Sequence, residues 1–352
     1  MTKNTSSQVI CTTRYSRIVK LGNNVVAKSV KLEGQSAPHD VETELQILQK
    51  CKHQNIIPLL SSSLSKGVVE FTMPYITSDL FQFMKCQYRT SHRAYLEPLL
   101  NLSDASESTG KLRKNKLSMS RTLGIIRQIL DGLSHIHSLG IIHRDIKPQN
   151  ILIDTATDHI YIIDFGISYD TTQRTHKYGE SDDLKIHDVS TSIYKAPELM
   201  FSVRNYGLAA DVWSLAVMIS QLFQDQISTR WVIPAFVDDG AEELEAGTDI
   251  KAVMSIFQNL GIPSQEQWPQ VVKYGSSGFV GMFGTEGDGN YIFDKPWPEQ
   301  LARAEAMFPR LREVRNYQEF AKLLLRMVIF DTDKRITSAE ALSTYNEITH
   351  AT

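Results

Sequence analysis

Four polar side chains between positions 145 and 164 suit the transfer of a phosphoryl group. Asp145 offers a carboxylate that can orient an acceptor hydroxyl and take its proton, and Lys147 offers a cation for the phosphate. Asn150 and Asp164 supply the hard oxygen ligands that Mg²⁺ prefers. Phosphoryl transfer demands alignment and charge neutralisation more than covalent work from the protein, so these residue types cover its needs.

The spacing of these residues favours a catalytic role over a structural one. A lone Asp or Asn is more often a turn or cap residue. Here Asp145 lies in the pattern H-R-D-x-K-x-x-N at 143–150, and Asp164 begins an Asp-Phe-Gly sequence after the apolar residues 160–163. Ala-Pro-Glu then follows at 196–198. These three motifs, in this order, are those of eukaryotic protein kinases, which the chain resembles over nearly its whole length.

The resemblance implies an α+β fold of two lobes, with ATP and Mg²⁺ as cofactors. Residues 1–76 would form a small β-rich N-lobe with one key helix, which binds the nucleotide. Residues 77–352 would form a larger helical C-lobe with the catalytic loop, the activation segment and the substrate site. Asp211 resembles the aspartate that holds the catalytic loop in relatives, and Glu198 and Arg335 resemble a buried ion pair of the C-lobe.

Lys28, in the sequence Val-Val-Ala-Lys, resembles the lysine that holds the α- and β-phosphates in protein kinases. Taken alone, a lysine on a strand is more often an exposed edge residue, and Glu42 or Glu44 would be ordinary solvated helix surface. The spacing from Glu44 to the sequence at 50–57 is similar to that of the helix glutamate in relatives. We therefore predict a Lys28–Glu44 ion pair that holds the lysine toward the nucleotide.

Apolar residues and one backbone segment are expected to form the adenine pocket. Pro74 has no N–H to donate, so the backbone of Tyr75 or Ile76 must supply the polar contacts. Each apolar candidate could equally belong to the ordinary core of the protein. These candidates are Ile18, Val26, Met73 and Leu152.

The segment expected to cover the phosphates departs from the family pattern. Relatives carry G-x-G-x-x-G there, whereas this chain has Cys11, Thr13 and Ser16 and no glycine before Gly22. Bulkier residues restrict the backbone, so we expect a stiffer lid. The departure raises the alternative of a catalytically silent pseudokinase that acts as a scaffold. The retention of every catalytic residue named above favours an active enzyme.

The activation segment indicates a serine/threonine kinase that needs no phosphorylation of its own. Thr191 lies where such kinases keep a threonine that bonds the catalytic aspartate and lysine. Ile186 occupies the position that relatives phosphorylate, and it offers no hydroxyl for the phosphate that Arg144 would bind. The carboxylates available to replace that phosphate are Glu180, Asp182, Asp183 and Asp188. Phosphorylation elsewhere in this loop, at Thr175, Tyr178 or Ser181, is the alternative.

Longer runs narrow the resemblance to the single-subunit CDK-activating kinases of budding yeasts. They lie at 161–170, 193–198, 256–264 and 279–284. The resemblance implies a monomer without a cyclin of its own. It also implies phosphorylation of the activation-loop threonine of a cyclin-dependent kinase, in support of cell division. An active serine/threonine kinase with a different protein substrate is the alternative.

The strands that must position these residues follow from local patterns. Runs rich in β-branched residues, with the turn sequence Gly-Asn-Asn between two of them, predict a hairpin and further extended segments. The predicted extended runs are 8–12, 17–21, 25–30, 56–60 and 68–73.

Helices are predicted where apolar residues recur at helical spacing. One spans 39–51 with Asp40 as its N-cap, and another spans 121–139 and ends at Gly140. Between them, a polar stretch at about 86–118 predicts a solvated surface insertion.

The composition argues against several other classes of protein. Of 352 residues, 42% are hydrophobic, which suffices for a large core. The 37 basic and 40 acidic residues leave a net charge of −3, which argues against nucleic acid or a membrane as partner. Three scattered cysteines make no disulfide framework, and the polar start lacks an apolar signal sequence. These features predict an intracellular protein of the cytoplasm, the nucleus or both.

Overall fold

The computed structural model describes residues 7–22, 24–90, 112–227, 232–237 and 248–350. In these residues a strand-rich small lobe precedes a helix-rich large lobe, which confirms the predicted α+β bilobal fold. The strands are β1 Ser7–Thr12, β2 Ser16–Leu21, β3 Val25–Lys31, β4 Ser61–Ser65, β5 Val68–Pro74, β6 Ser78–Asp79, β7 Tyr88–Thr90, β8 Arg113–Asn115, β9 Ile141–Ile142, β10 Ile151–Asp154, β11 His159–Ile162, β12 Tyr169–Asp170 and β13 Gln226–Ile227. The helices are α1 Val41–Lys50, α2 Leu80–Gln87, α3 Met119–Ser138, α4 Pro197–Met200, α5 Ala209–Leu222, α6 Asp249–Leu260, α7 Pro269–Tyr274, α8 Gly278–Phe283, α9 Trp297–Met307, α10 Tyr317–Arg326 and α11 Ser338–His350.

Strands β1 to β5 form one antiparallel sheet in the order β1-β2-β3-β5-β4. Lys28 on β3 lies opposite Ile18 on β2 and Phe71 on β5, and Val26 lies opposite Met73. Directly opposed residues share a face of a sheet, as do residues two apart on one strand. These five side chains therefore project from the same face.

Helix α1 follows the sheet and begins at its predicted cap. The Asp40 carboxylate accepts hydrogen bonds from the N–H groups of Glu42 and Thr43 at 3.1 and 3.5 Å, which satisfies donors that a helix start leaves free. Ile47 is fully buried, and Glu44, one turn earlier, is buried on the same side. The helix thus carries a carboxylate into the interior of the lobe, where a charge requires a partner.

The extended run predicted at 56–60 is wrong as a strand. Ile56 makes only an isolated bridge to Ile162, and the Ile57 N–H donates to the Ile162 carbonyl at 3.1 Å. The fourth strand of the sheet is instead β4, whose five residues are all exposed. Such a strand needs no alternation of apolar and polar residues, so its sequence carries no periodic signal.

The polar stretch predicted to form a surface insertion at about 86–118 begins and ends in regular structure. Helix α2 continues to Gln87, and β7 pairs with β8, which also pairs with β13. At the other end Leu117 is buried, and the Ser118 hydroxyl caps α3 by accepting from the Arg121 N–H at 3.3 Å. Both ends of the stretch are therefore folded structure, and only its middle, 91–111, lies outside the described residues.

Helix α3 ends where the sequence predicted. Gly140 has a left-handed φ of +74°, and a Cβ added there would lie 2.5 Å from the Thr171 hydroxyl. Both the backbone conformation and the lack of space require glycine. The turn leads directly into β9 and the catalytic loop.

Helix α5 forms the centre of the large lobe. Every residue of 210–222 is buried, and the Trp213 ring stacks on Phe236 with centroids 5.4 Å apart. The predicted pair of Glu198 and Arg335 is present at 2.7 Å with both side chains fully buried, and it ties α4 to the segment before α11. Within the ranges that the structure describes, no helix combines the length and apolarity needed to cross a membrane.

Candidate active site

The catalytic loop is anchored by hydrogen bonds to Asp211, near the start of α5. The buried Asp211 carboxylate accepts the backbone N–H groups of His143 and Arg144 at 2.7 and 2.9 Å, and it lies 3.0 Å from His137 Nε2. Burial alone would raise the pKa of Asp211, but these hydrogen bonds and the two imidazoles lower it. Arg144 is held at a φ of +69°, a strained conformation that this anchoring makes tolerable.

Three neighbours fix the orientation of the Asp145 carboxylate. The Thr191 hydroxyl donates to Oδ1 at 2.9 Å, and the Asn150 amide donates to Oδ2 at 2.8 Å. Lys147 Nζ lies 2.9 Å from Oδ2 and donates to the Thr191 hydroxyl at 2.7 Å. The contacts predicted for Thr191 are therefore present. They bring one carboxylate, one cation and one amide into mutual contact.

A second charged group joins the two lobes. Lys28 Nζ lies 2.6 Å from Glu44 Oε1 and 2.9 Å from Asp164 Oδ1, so the predicted Lys28–Glu44 ion pair is present. Burial opposes the charge on Lys28, but Asp164 and Glu44 outweigh it and raise the pKa of the lysine. The Lys28 ammonium in turn lowers the pKa of Asp164 to about 2. Both groups therefore stay ionised across neutral and mildly acid pH.

Residues around Asp164 lock it in place. The Phe165 ring is fully buried against His143, with centroids 5.0 Å apart, and the His143 imidazole lies 2.9 Å from the Ile163 carbonyl. The Gly166 carbonyl accepts the Asp40 N–H at 2.9 Å. Helix α1 and the Asp-Phe-Gly segment are thus bonded to each other through backbone. Sequence reasoning missed this link because backbone groups leave no trace in residue type.

Asn150 and Asp164 fit a hard divalent cation. Donation by the Asn150 amide to Asp145 leaves its carbonyl oxygen as the free acceptor. The Asp164 side chain is 49% exposed and anionic, with Oδ1 bound to Lys28. A carboxylate and an amide oxygen on adjacent segments are the donor set that Mg²⁺ prefers.

Three of the four apolar residues predicted to line an adenine pocket lie on one face of the sheet. Ile18, Val26 and Met73 project from the face that carries Lys28. The segment after β5 differs from one expectation, because the Tyr75 N–H donates to the Asn24 carbonyl at 2.8 Å. Of the two backbone donors predicted for adenine, Ile76 is thus the one that no hydrogen bond among the described residues occupies.

Leu152 lies on β10, in the sheet that meets the segment after β5. It pairs with Asp79 on β6 and with Tyr161 on β11, and it is half-buried. Asp79 follows Ile76 by three residues, so Leu152 lies on the large-lobe side of the same cleft. Its role toward adenine stays a prediction.

The glycine-free segment between β1 and β2 is a turn closed by its own side chains. The Thr13 N–H donates to the Ser16 carbonyl at 2.8 Å, and the Thr13 hydroxyl accepts the N–H groups of Tyr15 and Ser16 at 3.3 and 3.0 Å. Outside the turn, the Tyr15 hydroxyl is hydrogen-bonded to Ser36, and its ring lies 4.5 Å from that of His39. Tyr15 therefore fastens the turn to the segment that precedes α1, a contact that no local sequence pattern indicates.

Removal of the Tyr15 contacts with Ser36 and His39 should weaken nucleotide binding. We expect Tyr15→Ala to raise the KM for ATP about three- to tenfold with little change in kcat, because the turn loses its only contact with His39 and Ser36 among the described residues. Tyr15→Phe keeps the ring and should fall between the two. Steady-state kinetics at saturating protein substrate measure this, and a wild-type KM in the alanine variant would contradict it.

Of the four carboxylates proposed to face Arg144, one does so. Glu180 Oε1 lies 2.6 Å from Arg144 Nη2, and Oε2 lies 3.3 Å from Nη1. Glu180 Oε1 also accepts the Ile186 N–H at 2.8 Å. Asp182 accepts instead from the Tyr169 hydroxyl at 3.2 Å. A carboxylate of the activation segment thus pairs with Arg144, the arginine that the family resemblance predicts to bind a phosphate.

The geometry and the comparisons with known proteins agree on the class. A family model described as protein kinase domain matches residues 12–345, and the chain belongs to the protein kinase family. The serine/threonine-protein kinase CAK1 of Saccharomyces cerevisiae is 38% identical over 351 residues, which is 94% of this chain and 94% of that protein. The chain is accordingly a serine/threonine protein kinase, a class that uses ATP, a divalent metal and a protein substrate.

Two further relatives are more distant. Mitogen-activated protein kinase 14 of Xenopus laevis is 28% identical, and mitogen-activated protein kinase p38b of Drosophila melanogaster is 29% identical. Each alignment covers 91% of this chain and 71% of the relative.

Proposed function

We propose that this serine/threonine kinase transfers the γ-phosphate of ATP, with Mg²⁺, to the activation-loop threonine of a cyclin-dependent kinase. The main support for this proposal is the 38% identity to CAK1 of S. cerevisiae over 94% of both chains. The identity to the mitogen-activated protein kinases is lower, at 28 and 29%. The runs at 161–170 and 279–284, which resemble single-subunit CDK-activating kinases, support the same assignment. Another protein substrate is the alternative.

In this proposal Asp145 orients the threonine hydroxyl and accepts its proton. The hydrogen bonds from Thr191 and Asn150 hold the carboxylate in one orientation for that task. Lys147, 2.9 Å away, offsets negative charge on the phosphoryl group as it moves.

Lys28 holds the α- and β-phosphates, and its contact with Glu44 keeps it pointed at them. Asn150 and Asp164 would hold Mg²⁺, and the ion would supply positive charge to offset that of the phosphates. The side chains of Ile18, Val26, Met73 and Leu152, with the Ile76 backbone, would hold the adenine.

We further propose that the kinase acts as a monomer without a cyclin. Helix α1 is held inward by the chain itself, through the 2.6 Å Lys28–Glu44 pair and the Asp40 N–H bond to the Gly166 carbonyl. No second protein is needed to press it into place. Light scattering of the active fraction should give the mass of one chain, 39.8 kDa.

Transfer of labelled phosphate from Mg-ATP to a monomeric cyclin-dependent kinase tests the function. Label should appear on the wild-type substrate and be absent when its activation-loop threonine is replaced by alanine. Label on generic proteins but not on that threonine would discard the substrate assignment and keep the kinase. Absence of both transfer and nucleotide binding would favour the scaffold.

A further inference from the structure

Exposed apolar side chains of the large lobe concentrate in one region. Eight large hydrophobic side chains of the described residues beyond position 77 are exposed, and six of them lie between 250 and 282. Single exposed apolar residues are ordinary, whereas a contiguous group commonly marks an interaction site. The six are Ile250, Met254, Val272, Tyr274, Val280 and Met282.

Helix α6 carries an apolar stripe that is only partly covered. Ile250, Met254 and Phe257 are spaced i, i+4, i+7 and so lie along one side of the helix. The stripe is covered near the C-terminal end of the helix, because Phe257 is 5% exposed and its ring lies 4.9 Å from that of Phe283 on α8. The stripe is exposed to solvent near the N-terminal end, where Ile250 is 61% and Met254 43% exposed.

Helix α8 extends this apolar surface. Phe283 is half-buried against Phe257, and Met282 beside it is 56% exposed. We call Ile250, Met254, Met282 and Phe283 the α6–α8 patch. Its side chains come from two helices that the Phe257–Phe283 ring contact joins.

The start of α6, at one end of the α6–α8 patch, contacts the activation segment. Asp249, the first residue of α6, lies 3.2 Å from Lys195 Nζ, which is also 3.5 Å from Asp188. Lys195 follows Thr191 by four residues, and Thr191 is bonded to Asp145. A protein whose threonine reaches Asp145 therefore meets a surface that continues from the activation segment onto α6.

We propose that the α6–α8 patch is the docking surface for the folded cyclin-dependent kinase substrate, an inference that rests on the proposed function. Two acidic side chains lie where the activation segment meets α6, Asp188 with 92% and Asp249 with 45% of the side chain exposed. The substrate should therefore present an apolar surface bordered by lysine or arginine. A threonine in a folded loop offers few local contacts, and docking away from the reacting atoms supplies the missing affinity.

The test compares kinetics of full-length variants on a monomeric cyclin-dependent kinase. Ile250→Lys with Met254→Lys should raise the KM for that substrate about tenfold or more, with kcat and the KM for ATP unchanged. The same double change to glutamate should raise it less, because the partner is basic. Leu64→Lys on β4, 65% exposed in the other lobe, is the matched control and should leave all three constants unchanged.

Each outcome decides the proposal. A substrate KM within twofold of wild type in the lysine variant overturns the docking surface while the proposed function stands. Failure of the wild-type enzyme to label the threonine overturns the proposed function, and the docking inference with it. A wild-type dimer that the lysine variant separates, with the substrate KM unchanged, makes the patch an interface between copies. Should the lysine variant melt early, Ile250→Ala with Met254→Ala must still raise the substrate KM about threefold, or the proposal falls.

Discussion

Replacing Asp145 by asparagine is expected to lower kcat about 10³-fold, the effect expected when a general base is lost from an aligned site. Asparagine keeps the size of the side chain and can still accept from the Thr191 hydroxyl, so the loop should stay folded. It cannot take a proton from an acceptor hydroxyl. The 2.9 Å contact with Lys147 would also lose its charge complement.

The measurement is steady-state kinetics together with a nucleotide-binding titration and a melting curve. We expect ATP affinity and melting temperature close to wild type, since Lys28 and the adenine pocket are untouched. Asp154→Asn, a carboxylate on β10 whose hydrogen bond is to the Ala156 N–H, serves as the matched control and should keep full activity. A loss of less than tenfold in the Asp145 variant would remove Asp145 as the base.

The second large effect is expected from Glu180→Ala. The Arg144 side chain is fully buried and Glu180 is 8% exposed, so the change leaves a buried guanidinium without its partner. Breaking such a pair from one side costs about 3–5 kcal/mol. Since Glu180 also accepts the Ile186 N–H at 2.8 Å, the activation segment should lose its fixed path. We expect kcat/KM to fall about 100-fold.

Exposed Asp183 in the same loop provides the control, because Asp183→Ala should be close to wild type. Glu180→Gln keeps the hydrogen-bonding shape without the charge and should lie between. Treatment of the wild-type enzyme with phosphatase should leave its activity unchanged. Complete loss on that treatment would show that a phosphate, and not Glu180, completes the site.

The catalytic residues could be predicted from the sequence because their chemistry fixes their types. Lys28, Glu44 and Asp145 were predicted from family motifs, and the structure contains the Lys28–Glu44 pair and places Lys147 2.9 Å from Asp145. Glu180 could be predicted only as one of four acids. Which acid meets Arg144 depends on the path of the loop, which is set in part by the Tyr206 hydroxyl bond to the Ile186 carbonyl at 2.6 Å.

Other features had no local signal. Asp164 and Ser190 adopt positive φ values of 65° and 70°. Tertiary contacts impose these conformations, which the residue types alone do not predict. Tyr15 meets His39 across the lobe, at a sequence distance that no periodic pattern spans. The edge strand β4 reads Ser-Ser-Ser-Leu-Ser and is exposed throughout, so sheet pairing alone determines it.

The ion pair between Glu180 and Arg144 bears on how such an enzyme is regulated. A kinase that must be phosphorylated by a different kinase depends on the activity of that enzyme, which can depend on a third in the same way. Because the chain itself holds Glu180 2.6 Å from Arg144, we expect this enzyme to be active without such a step. Its activity would then follow the number of molecules made and destroyed, and phosphatases would oppose it only at the substrate.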